Sequence, residues 1–441
     1  MTEKLNVLLI VVDTLRANHL GSYGYHHPTS PNIDALAASG VLCERMFCEA
    51  IPTQPAFTTL GTGQHPIEHG IIAHNDEAVL PRTTRFMSEV FLEAGYATCA
   101  VDNLGRARPW FQRGYECILD PSLRRILPMG VTCDEINERA IPWLRAFGRE
   151  PFFMMLHYWD PHVPLVPPSR FHGLYYDGNN PTDPSNTSLH QWWKHPVGIM
   201  ARDTWLRSED GLITDADYVV SLYDQEVRYL DEGVGNLLAT LDEMGIAEQT
   251  LVILMADHGE SLTDHGIFFE HHGLYDCTLH IPMILRWPGH LPTGVRVPNL
   301  LHTSDIAPTI LQAAGLARPS TMTGQSYWGL VTGEEQTGGH ARVISAESTV
   351  QAKWSLRTDT HKLIVAREPD FYGTAMRELF DLVADPREQH NLAEAQPEIV
   401  AAMEAELEAW IAAQLSKQGR ASDPVGQQGS NFRANWRRMQ G

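Results

Sequence analysis

Two runs of apolar residues, far apart in the chain, each end in side chains that can bind a cation. Residues 5–12 (LNVLLIVV) lead into Asp13, and residues 251–256 (LVILMA) lead into the segment 257–260 (DHGE). Continuous apolar runs of this length are typical of strands that are buried on both faces of a parallel sheet. Open α/β sheets place their sites at the carboxyl ends of such strands, so Asp13 and the segment 257–260 are expected to lie close together.

The rest of the pattern favours an α/β fold built on one large sheet. Apolar runs alternate with segments of helical periodicity, and this alternation predicts a mostly parallel sheet flanked by helices. The predicted helices begin at Pro31 and cover 86–94 and 216–244, and further strands are predicted at 96–101 and 151–156.

The chain divides into a large domain, a smaller one and a tail. We assign residues 1–330 to a catalytic domain and 331–415 to a smaller α+β subdomain, because short strand candidates there precede one helix. Residues 167–214 lack a clear period, which is typical either of a lid or of an insertion packed by its own aromatic residues. The polar tail 416–441 is expected to be disordered or to form an arm across a neighbouring subunit, which favours a homo-oligomer.

Charge and cysteine usage exclude some classes of partner. A net charge of −21 over 441 residues argues against a nucleic-acid polymer or an anionic membrane as the main partner. The sequence starts almost directly with the first strand, and no apolar run approaches the length of a membrane span. The six cysteines are scattered without a CxxC pair. We therefore expect a cytoplasmic protein with reduced thiols.

The strand ends supply a candidate metal site. Asp13, Asp257 and His258 offer two carboxylates and one imidazole, a set that suits Mn²⁺ or Zn²⁺ better than Ca²⁺. Thr53 lies in a Pro-bounded turn that opens a short helix within 51–63. If the Thr53 hydroxyl joins the cation, its pKa falls and it becomes a nucleophile near neutral pH. In the alternative, Asp13 caps the following loop and His258 is an ordinary hydrogen-bonded histidine.

Several motifs in this order resemble the sulfatase branch of the alkaline phosphatase superfamily. The matching segments are 11–16 (VVDTLR), 19–24 (HLGSYG), 28–34 (PTSPNID), 62–66 (TGQHP), 257–260 (DHGE), 306–311 (IAPTIL) and 378–382 (ELFDL). The resemblance covers nearly the whole chain and implies an alkaline phosphatase-like fold with a small C-terminal subdomain. It also implies a hydrolase that acts on a small anionic ester.

The departures from the family pattern concern the chemistry. Thr53 stands where sulfatases convert a Cys or Ser to formylglycine, so that modification cannot occur here. The lysine and histidine that hold the sulfate align with Val101 and Asn103, and a second lysine aligns with His271. The resemblance therefore shifts toward metal-dependent phosphodiesterases and phosphonate monoester hydrolases, with a phospho-threonine intermediate on Thr53. The alternatives are hydrolysis of sulfate esters or sulfamates without formylglycine, and an inactive member that serves as a binding protein.

The resemblance also implies roles for side chains around the nucleophile. His162 resembles the residue that contacts the substrate oxyanion or protonates the leaving group, and His271 takes the place of a charge partner. Asn75 and Asn103 are expected to bind the substrate with them. The number of cations, one or two per chain, is left open. A second cation would be held by Asp160, His162 and His272.

Overall fold

A computed structural model of the chain describes residues 4–75, 77–123, 128–208 and 210–431. Its strands are β1 (Asn6–Val12), β2 (Val41–Phe47), β3 (Ala50–Ile51), β4 (Ala97–Val101), β5 (Cys117–Ile118), β6 (Phe152–Tyr158), β7 (Arg207–Ser208), β8 (Gly211–Leu212), β9 (Thr250–Ala256), β10 (His280–Ile281), β11 (Met283–Arg286), β12 (Val295–His302), β13 (Val343–Glu347), β14 (Lys353–Arg357), β15 (His361–Ala366) and β16 (Arg377–Asp381). Its α-helices are α1 (Pro31–Ala38), α2 (Thr53–Thr62), α3 (Pro66–His69), α4 (Met87–Glu93), α5 (Cys133–Phe147), α6 (Pro196–Asp203), α7 (Ala216–Met244), α8 (Asp276–Leu279), α9 (Ile306–Ala313), α10 (Trp328–Thr332), α11 (Pro397–Gln418) and α12 (Pro424–Gln428).

The large sheet has nine strands in the order β10-β2-β11-β9-β1-β6-β4-β5, with β12 paired to β2. Strand β1 is central and runs parallel to both β9 and β6. Because β10 and β11 run antiparallel to β2, the sheet is mixed with a parallel majority. This confirms the predicted α/β class.

The register of the central strands decides where the polar residues meet. Val12 is paired with Ala256 on one side and with Tyr158 on the other. The next residue, Asp13, donates its backbone N–H to the Tyr158 carbonyl, and Asp257 donates its own to the Val12 carbonyl. The two carboxylates therefore leave adjacent parallel strands at the same height, as the sequence predicts.

The second sheet has the order β16-β15-β14-β13-β3 and includes a strand from the first part of the chain. Strand β3 runs parallel to β13, so the smaller sheet is joined to the segment that precedes Thr53. Arg357 on β14 also pairs with Asp276 of α8 at 3.0 Å. The helix predicted from 397 extends to Gln418.

The insertion 167–214 contains α6, the β7–β8 hairpin and short 3-10 turns. Trp192 is buried, and its ring lies 4.9 Å from Phe269 and 6.0 Å from Trp205. His195 stacks on Tyr372 of the smaller domain at 5.4 Å. The insertion is thus packed in part by its own aromatic residues, and its action as a lid stays a prediction.

Helix α11 continues to Gln418, past the predicted start of the tail at residue 416, and contacts with the smaller domain extend to Asn431, which donates its backbone N–H to the Ser348 carbonyl. Asp423 accepts hydrogen bonds from Trp354 and Arg367, and Val425 is buried. Residues 432–441, the rest of the predicted arm, lie outside the described residues. None of the helices in the described part of the chain is long and apolar enough to cross a membrane.

Candidate active site

The candidate nucleophile is the first residue of a buried helix. Thr53 begins α2 directly after β3 and is 2% exposed. Its Oγ1 lies 3.2 Å from His258 Nε2 and 3.5 Å from Asp13 Oδ2. The structure therefore places this hydroxyl inside the predicted metal site.

The three predicted ligands form one cluster. One ligand atom from each of Asp13, Asp257 and His258 lies within 4.8 Å of the others. His258 Nε2 is 3.3 Å from Asp257 Oδ2 and 3.7 Å from Asp13 Oδ1. His258 Nδ1 lies 2.9 Å from the Gly259 carbonyl, which can only accept, so Nδ1 carries the proton. The lone pair of Nε2 then faces the carboxylates, which is the form that binds metals.

Two carboxylate oxygens in this cluster have no hydrogen-bond partner. They are Asp13 Oδ1 and Asp257 Oδ2, both buried. The other oxygen of Asp257, Oδ1, accepts the backbone N–H groups of Thr14 and His258. These two hydrogen bonds account for one oxygen of the carboxylate and leave the other without a partner. Buried polar atoms without partners are rare in native proteins and indicate a missing ion or water. The residues fit a divalent cation.

Electrostatics agree with this interpretation. Burial, and then repulsion from Asp13, raises the pKa of Asp257 well above its ordinary value. Burial also acts to raise the pKa of Asp13, but the contact with His157 outweighs it and holds that pKa at about 2. Burial lowers the pKa of His258 to about 4, which keeps the ring neutral. The raised pKa of Asp257 shows that its charged form lacks a positive partner here, and a bound cation would supply one.

A second His/Asp cluster in the described residues makes a useful contrast. His302, Asp305 and His340 also bring ligand atoms within 4.8 Å of one another. However, His302 uses one ring nitrogen on Glu49 at 3.3 Å and the other on the Arg342 carbonyl at 2.9 Å. His340 Nε2 lies 2.6 Å from Asp305 Oδ2. With these atoms already engaged, the second cluster is a hydrogen-bonded ion-pair network.

The glycine of the 257–260 segment allows the backbone beside the ligands to pass close to the backbone at Cys277. A Cβ at Gly259 would lie 2.1 Å from the Cys277 carbonyl oxygen, so another residue cannot fit without moving the backbone. The next residue, Glu260, is 1% exposed, and neither of its carboxylate oxygens has a hydrogen-bond partner. Burial raises the pKa of Glu260 well above its ordinary value. No role is predicted for this side chain from the motif, although it belongs to the same segment 257–260.

Two further imidazoles lie near the ligand cluster. The His271 ring is 4.9 Å from that of His258 and 5.2 Å from that of His162. His271 Nδ1 is 3.7 Å from Glu260 Oε2, and burial lowers the pKa of His271 well below its ordinary value. His162 Nδ1 lies 2.6 Å from the Val163 carbonyl, which leaves Nε2 as the nitrogen that can meet a substrate. The structure thus places His271 beside both His258 and His162, and the catalytic roles of His162 and His271 stay predictions.

The predicted second cation site is not formed. Asp160, His162 and His272 are not among the groups of the described residues whose ligand atoms lie within 4.8 Å of one another. The Asp160 carboxyl is buried and interacts with Glu226 of α7, and burial raises its pKa to about 7. His272 Nδ1 lies 3.0 Å from Glu347 Oε1. Each side chain is therefore held by an acidic partner that the motif does not reveal.

The predicted substrate-binding asparagines differ in how the structure places them. The Asn75 side chain accepts from Gln54 Nε2 at 3.2 Å, and its backbone donates to Gln54 Oε1 at 3.1 Å. Gln54 follows the nucleophile and also accepts from Arg108 Nε at 3.0 Å, so Asn75 and Arg108 are both fixed beside Thr53. Asn103 is buried one residue after Asp102, and its contact with a substrate stays a prediction.

The sequence reasoning missed His157. Strand β6 continues to Tyr158, two residues beyond the predicted end, so His157 is a fully buried strand residue. Its Nδ1 lies 2.8 Å from Asp102 Oδ1 and its Nε2 lies 3.4 Å from Asp13 Oδ2. Burial acts to lower the pKa of His157, but Asp102 and Asp13 raise it to about 10. A histidine at the end of an apolar run next to a strand-end aspartate is the signal that could have identified it.

Comparisons with known proteins agree with this architecture. Residues 5–316 match the family model "Sulfatase", and residues 263–414 match "N-sulphoglucosamine sulphohydrolase, C-terminal". The chain is 24% identical over 423 residues to the Delta 4,5-hexuronate-2-O-sulfatase of Bacteroides thetaiotaomicron, covering 89% of this chain and 85% of that protein. It is 25% identical over 474 residues to the multifunctional alkaline phosphatase superfamily protein PehA of Trinickia caryophylli, covering 89% and 92%.

Among solved structures, the fold is similar to that of the phosphonate monoester hydrolase of Agrobacterium radiobacter. The TM-score is 0.72 at 22% identity, with 93% of this chain and 96% of that chain covered. The family match spans well over half of the sequence and includes every residue of the ligand cluster and the nucleophile. The chain belongs to the sulfatase family of the alkaline phosphatase superfamily, whose members hydrolyse ester bonds.

Proposed function

We propose that this protein is a metal-dependent phosphoester hydrolase that uses Thr53 as its nucleophile. The proposed substrates are phosphodiesters or phosphonate monoesters. The observation that carries the proposal is the position of Thr53 Oγ1, 3.2 Å from His258 Nε2 and 3.5 Å from Asp13 Oδ2, in a cluster that fits a divalent cation. A threonine cannot become formylglycine, so the hydroxyl itself must react.

The proposed reaction has two displacements at phosphorus. Asp13, Asp257 and His258 would hold the cation, of which Mn²⁺ and Zn²⁺ suit the ligand set. When bound, it lowers the pKa of the Thr53 hydroxyl and offsets negative charge on the phosphoryl oxygens. Thr53 Oγ attacks phosphorus, its bond to phosphorus forms, and the bond to the leaving oxygen breaks. Water then attacks the phospho-threonine, which releases the product and restores the Thr53 hydroxyl.

The surrounding side chains bind the substrate and move its proton. His162 Nε2 contacts the substrate oxyanion or donates a proton to the leaving oxygen, which a poor leaving group requires. Asn75, held by Gln54, can donate to a non-bridging oxygen, as can His271, whose ring lies against His258. These contacts take the place of those that lysines make to the substrate in sulfatases with the usual site pattern.

Sulfate-ester hydrolysis is the second candidate, and the names of the relatives favour it. Delta 4,5-hexuronate-2-O-sulfatase and N-acetylglucosamine-6-O-sulfatase of Bacteroides thetaiotaomicron are both similar to this chain over 89% of its length. The chemistry of threonine argues against this candidate. A sulfate ester of Thr53 has no second hydroxyl on the same carbon, so it cannot release sulfate by the route that is open to formylglycine. Such an adduct has to be cleaved at its central atom, a route that favours phosphorus.

Paired aryl substrates test the proposal. The protein is loaded with Mn²⁺ or Zn²⁺ and assayed with bis-p-nitrophenyl phosphate, p-nitrophenyl phenylphosphonate and p-nitrophenyl sulfate. We expect turnover of the phosphorus esters and a loss of at least about 10³-fold in Thr53→Ala, whereas Thr53→Ser retains a hydroxyl and measurable activity. Metal-dependent turnover that persists in Thr53→Ala would contradict the nucleophile. Preference for the sulfate would favour the second candidate, and no turnover by a metal-loaded protein would favour a binding role.

A further inference from the structure

We infer that His157 and Asp102 form a positioning pair that aims the Asp13 carboxylate at the cation. The inference rests on the metal centre of the proposed function and adds two residues to it. His157 is not a catalytic residue, because it lies behind Asp13. Its role is to fix which oxygen of Asp13 faces the other ligands.

Strand register brings the three side chains into line. His157 on β6 is paired with Val11 of β1, and its neighbour Leu156 is paired with Val101 of β4. Asp13 directly follows β1 and Asp102 directly follows β4. The His157 imidazole on β6 therefore lies between the end of β1 and the end of β4. It lies 2.8 Å from Asp102 Oδ1 and 3.4 Å from Asp13 Oδ2.

The bridge is rigid. His157 is 0% exposed and Asp102 is 4% exposed, so water does not compete for their contacts. The imidazole ring lies 4.5 Å from the ring of Phe57 and 4.5 Å from that of Trp159, which restricts its rotation. Asp102 is itself fixed, because its Oδ2 accepts the backbone N–H of Leu104 at 2.9 Å.

The two oxygens of Asp13 are thereby given different surroundings. Oδ2 faces His157 and the Thr53 hydroxyl, at 3.4 and 3.5 Å. Oδ1 has no hydrogen-bond partner and lies 3.7 Å from His258 Nε2, on the side of the other ligands. The ion-pair contact of His157 Nε2 with Oδ2, at 3.4 Å, sets the rotation of the carboxylate and leaves Oδ1 for the cation. Such partners of metal ligands typically change metal affinity by about 10–100-fold.

Two substitutions of His157 distinguish its contact with Asp13 from its contact with Asp102. The amide nitrogen of His157→Gln can reach the place of Nε2 and keep the contact with Asp13 Oδ2. The amide nitrogen of His157→Asn reaches only the place of Nδ1, so it keeps Asp102 and loses Asp13. The readout is the dissociation constant of Mn²⁺ alone, measured by calorimetry and by electron paramagnetic resonance on the full chain. Thermal melting of each variant in the presence of a chelator shows whether that variant is folded.

We expect His157→Asn to weaken Mn²⁺ binding by about 10–100-fold and His157→Gln to stay within about threefold of the unchanged protein. If His157→Asn does not fold, Asp102→Leu removes the anchor of the imidazole and is expected to weaken binding similarly, with Asp102→Asn as its control. Equal affinities in all folded variants, or equal losses in His157→Asn and His157→Gln, would overturn the inference while leaving the metal centre intact. Absence of Mn²⁺ or Zn²⁺ binding by the unchanged protein would overturn the proposed function and the inference together.

Discussion

Replacing Asp257 by Asn should stabilise the metal-free protein and remove its response to metal. Asp257 Oδ2 is buried without a hydrogen-bond partner and lies 3.3 Å from the neutral His258 Nε2. A buried polar group left without a partner costs about 1–3 kcal/mol, and more when it is charged. An asparagine keeps the acceptor oxygen for the backbone of Thr14 and His258 and removes the charge that repels Asp13.

These energies correspond to measurable shifts in melting temperature. With about 2.1 cal/mol/K per residue, the unfolding entropy of 441 residues is about 0.9 kcal/mol/K. A gain of about 1–3 kcal/mol then raises the metal-free melting temperature by about 1–3 °C. In the unchanged protein, Mn²⁺ at about 100 times its dissociation constant adds about 2.7 kcal/mol, or about 3 °C. Asp257→Asn should lose most of that second increment.

The pH dependence of the metal-free protein gives the same prediction a second readout. The folded pKa of Asp257 is raised above the ordinary value of 3.8, so the folded state holds this proton more tightly than the unfolded chain. The contribution of this residue to stability is therefore lost as the pH rises above about 4. Asp257→Asn should flatten that decline between about pH 4 and neutrality.

Scanning fluorimetry in a chelator and in Mn²⁺ measures both effects, with Asp305→Asn as the matched control. Asp305 is a buried aspartate whose oxygens accept from the Gln325 backbone at 2.7 Å and face His340 at 2.6 Å. Its replacement should lower the melting temperature equally with and without metal. If Asp257→Asn instead behaves like Asp305→Asn and keeps its Mn²⁺ response, the ligand assignment is refuted.

Two further substitutions test how the site and the smaller domain are held. Gly259→Ala places a Cβ 2.1 Å from the Cys277 carbonyl oxygen and should lower both the melting temperature and the affinity for Mn²⁺. Its control is Gly130→Ala, which has open space around the added Cβ and should change neither quantity beyond error. Lys353→Met leaves the buried carboxylates of Asp370 and Glu378 without their cation, 2.9 and 3.4 Å away, and should cost about 3–5 kcal/mol in denaturant unfolding. The exposed pair of Arg377 and Glu404 is its control, since Arg377→Met should cost about 0–1 kcal/mol.

The sequence could predict the ligand cluster because strand physics controls it. An apolar run that ends in Asp or Asp-His indicates a buried strand and its carboxyl end, and the helix at 216–244 is bounded as its periodicity predicts. The apolar pattern does not show in which direction a side chain turns after the end of a strand. Asp13 directly follows β1, whereas Asp160 lies two residues after the end of β6, and the Asp160 carboxyl lies beside Glu226 on α7. That choice depends on a residue 66 positions away.

His157 was missed for a related reason. A polar residue after the apolar run 152–156 normally marks the end of a strand, and the predicted strand stopped there. The strand continues because the ladder to β1 extends to Tyr158, because Asp102 pairs with Nδ1 of the imidazole and because Asp13 lies 3.4 Å from its Nε2. Long-range pairing of this kind overrides the local pattern. The contribution of β3 to the second sheet, through two residues only, is invisible in the sequence for the same reason.

The closeness of the two candidate ligand carboxylates follows from the register of the central sheet. Neighbouring strands lie about 4.8 Å apart, so paired Val12 and Ala256 force the carboxylates of Asp13 and Asp257 to leave the sheet side by side. Backbone hydrogen bonds on both sides of β1 prevent the strands from separating to relieve their repulsion. Protonation of Asp257, a bound cation or a substitution would each relieve this repulsion. In the proposed function the cation would also act on the Thr53 hydroxyl, which lies 3.5 Å from Asp13. The repulsion that weakens the metal-free fold would then favour the metal-bound state that the proposed reaction requires.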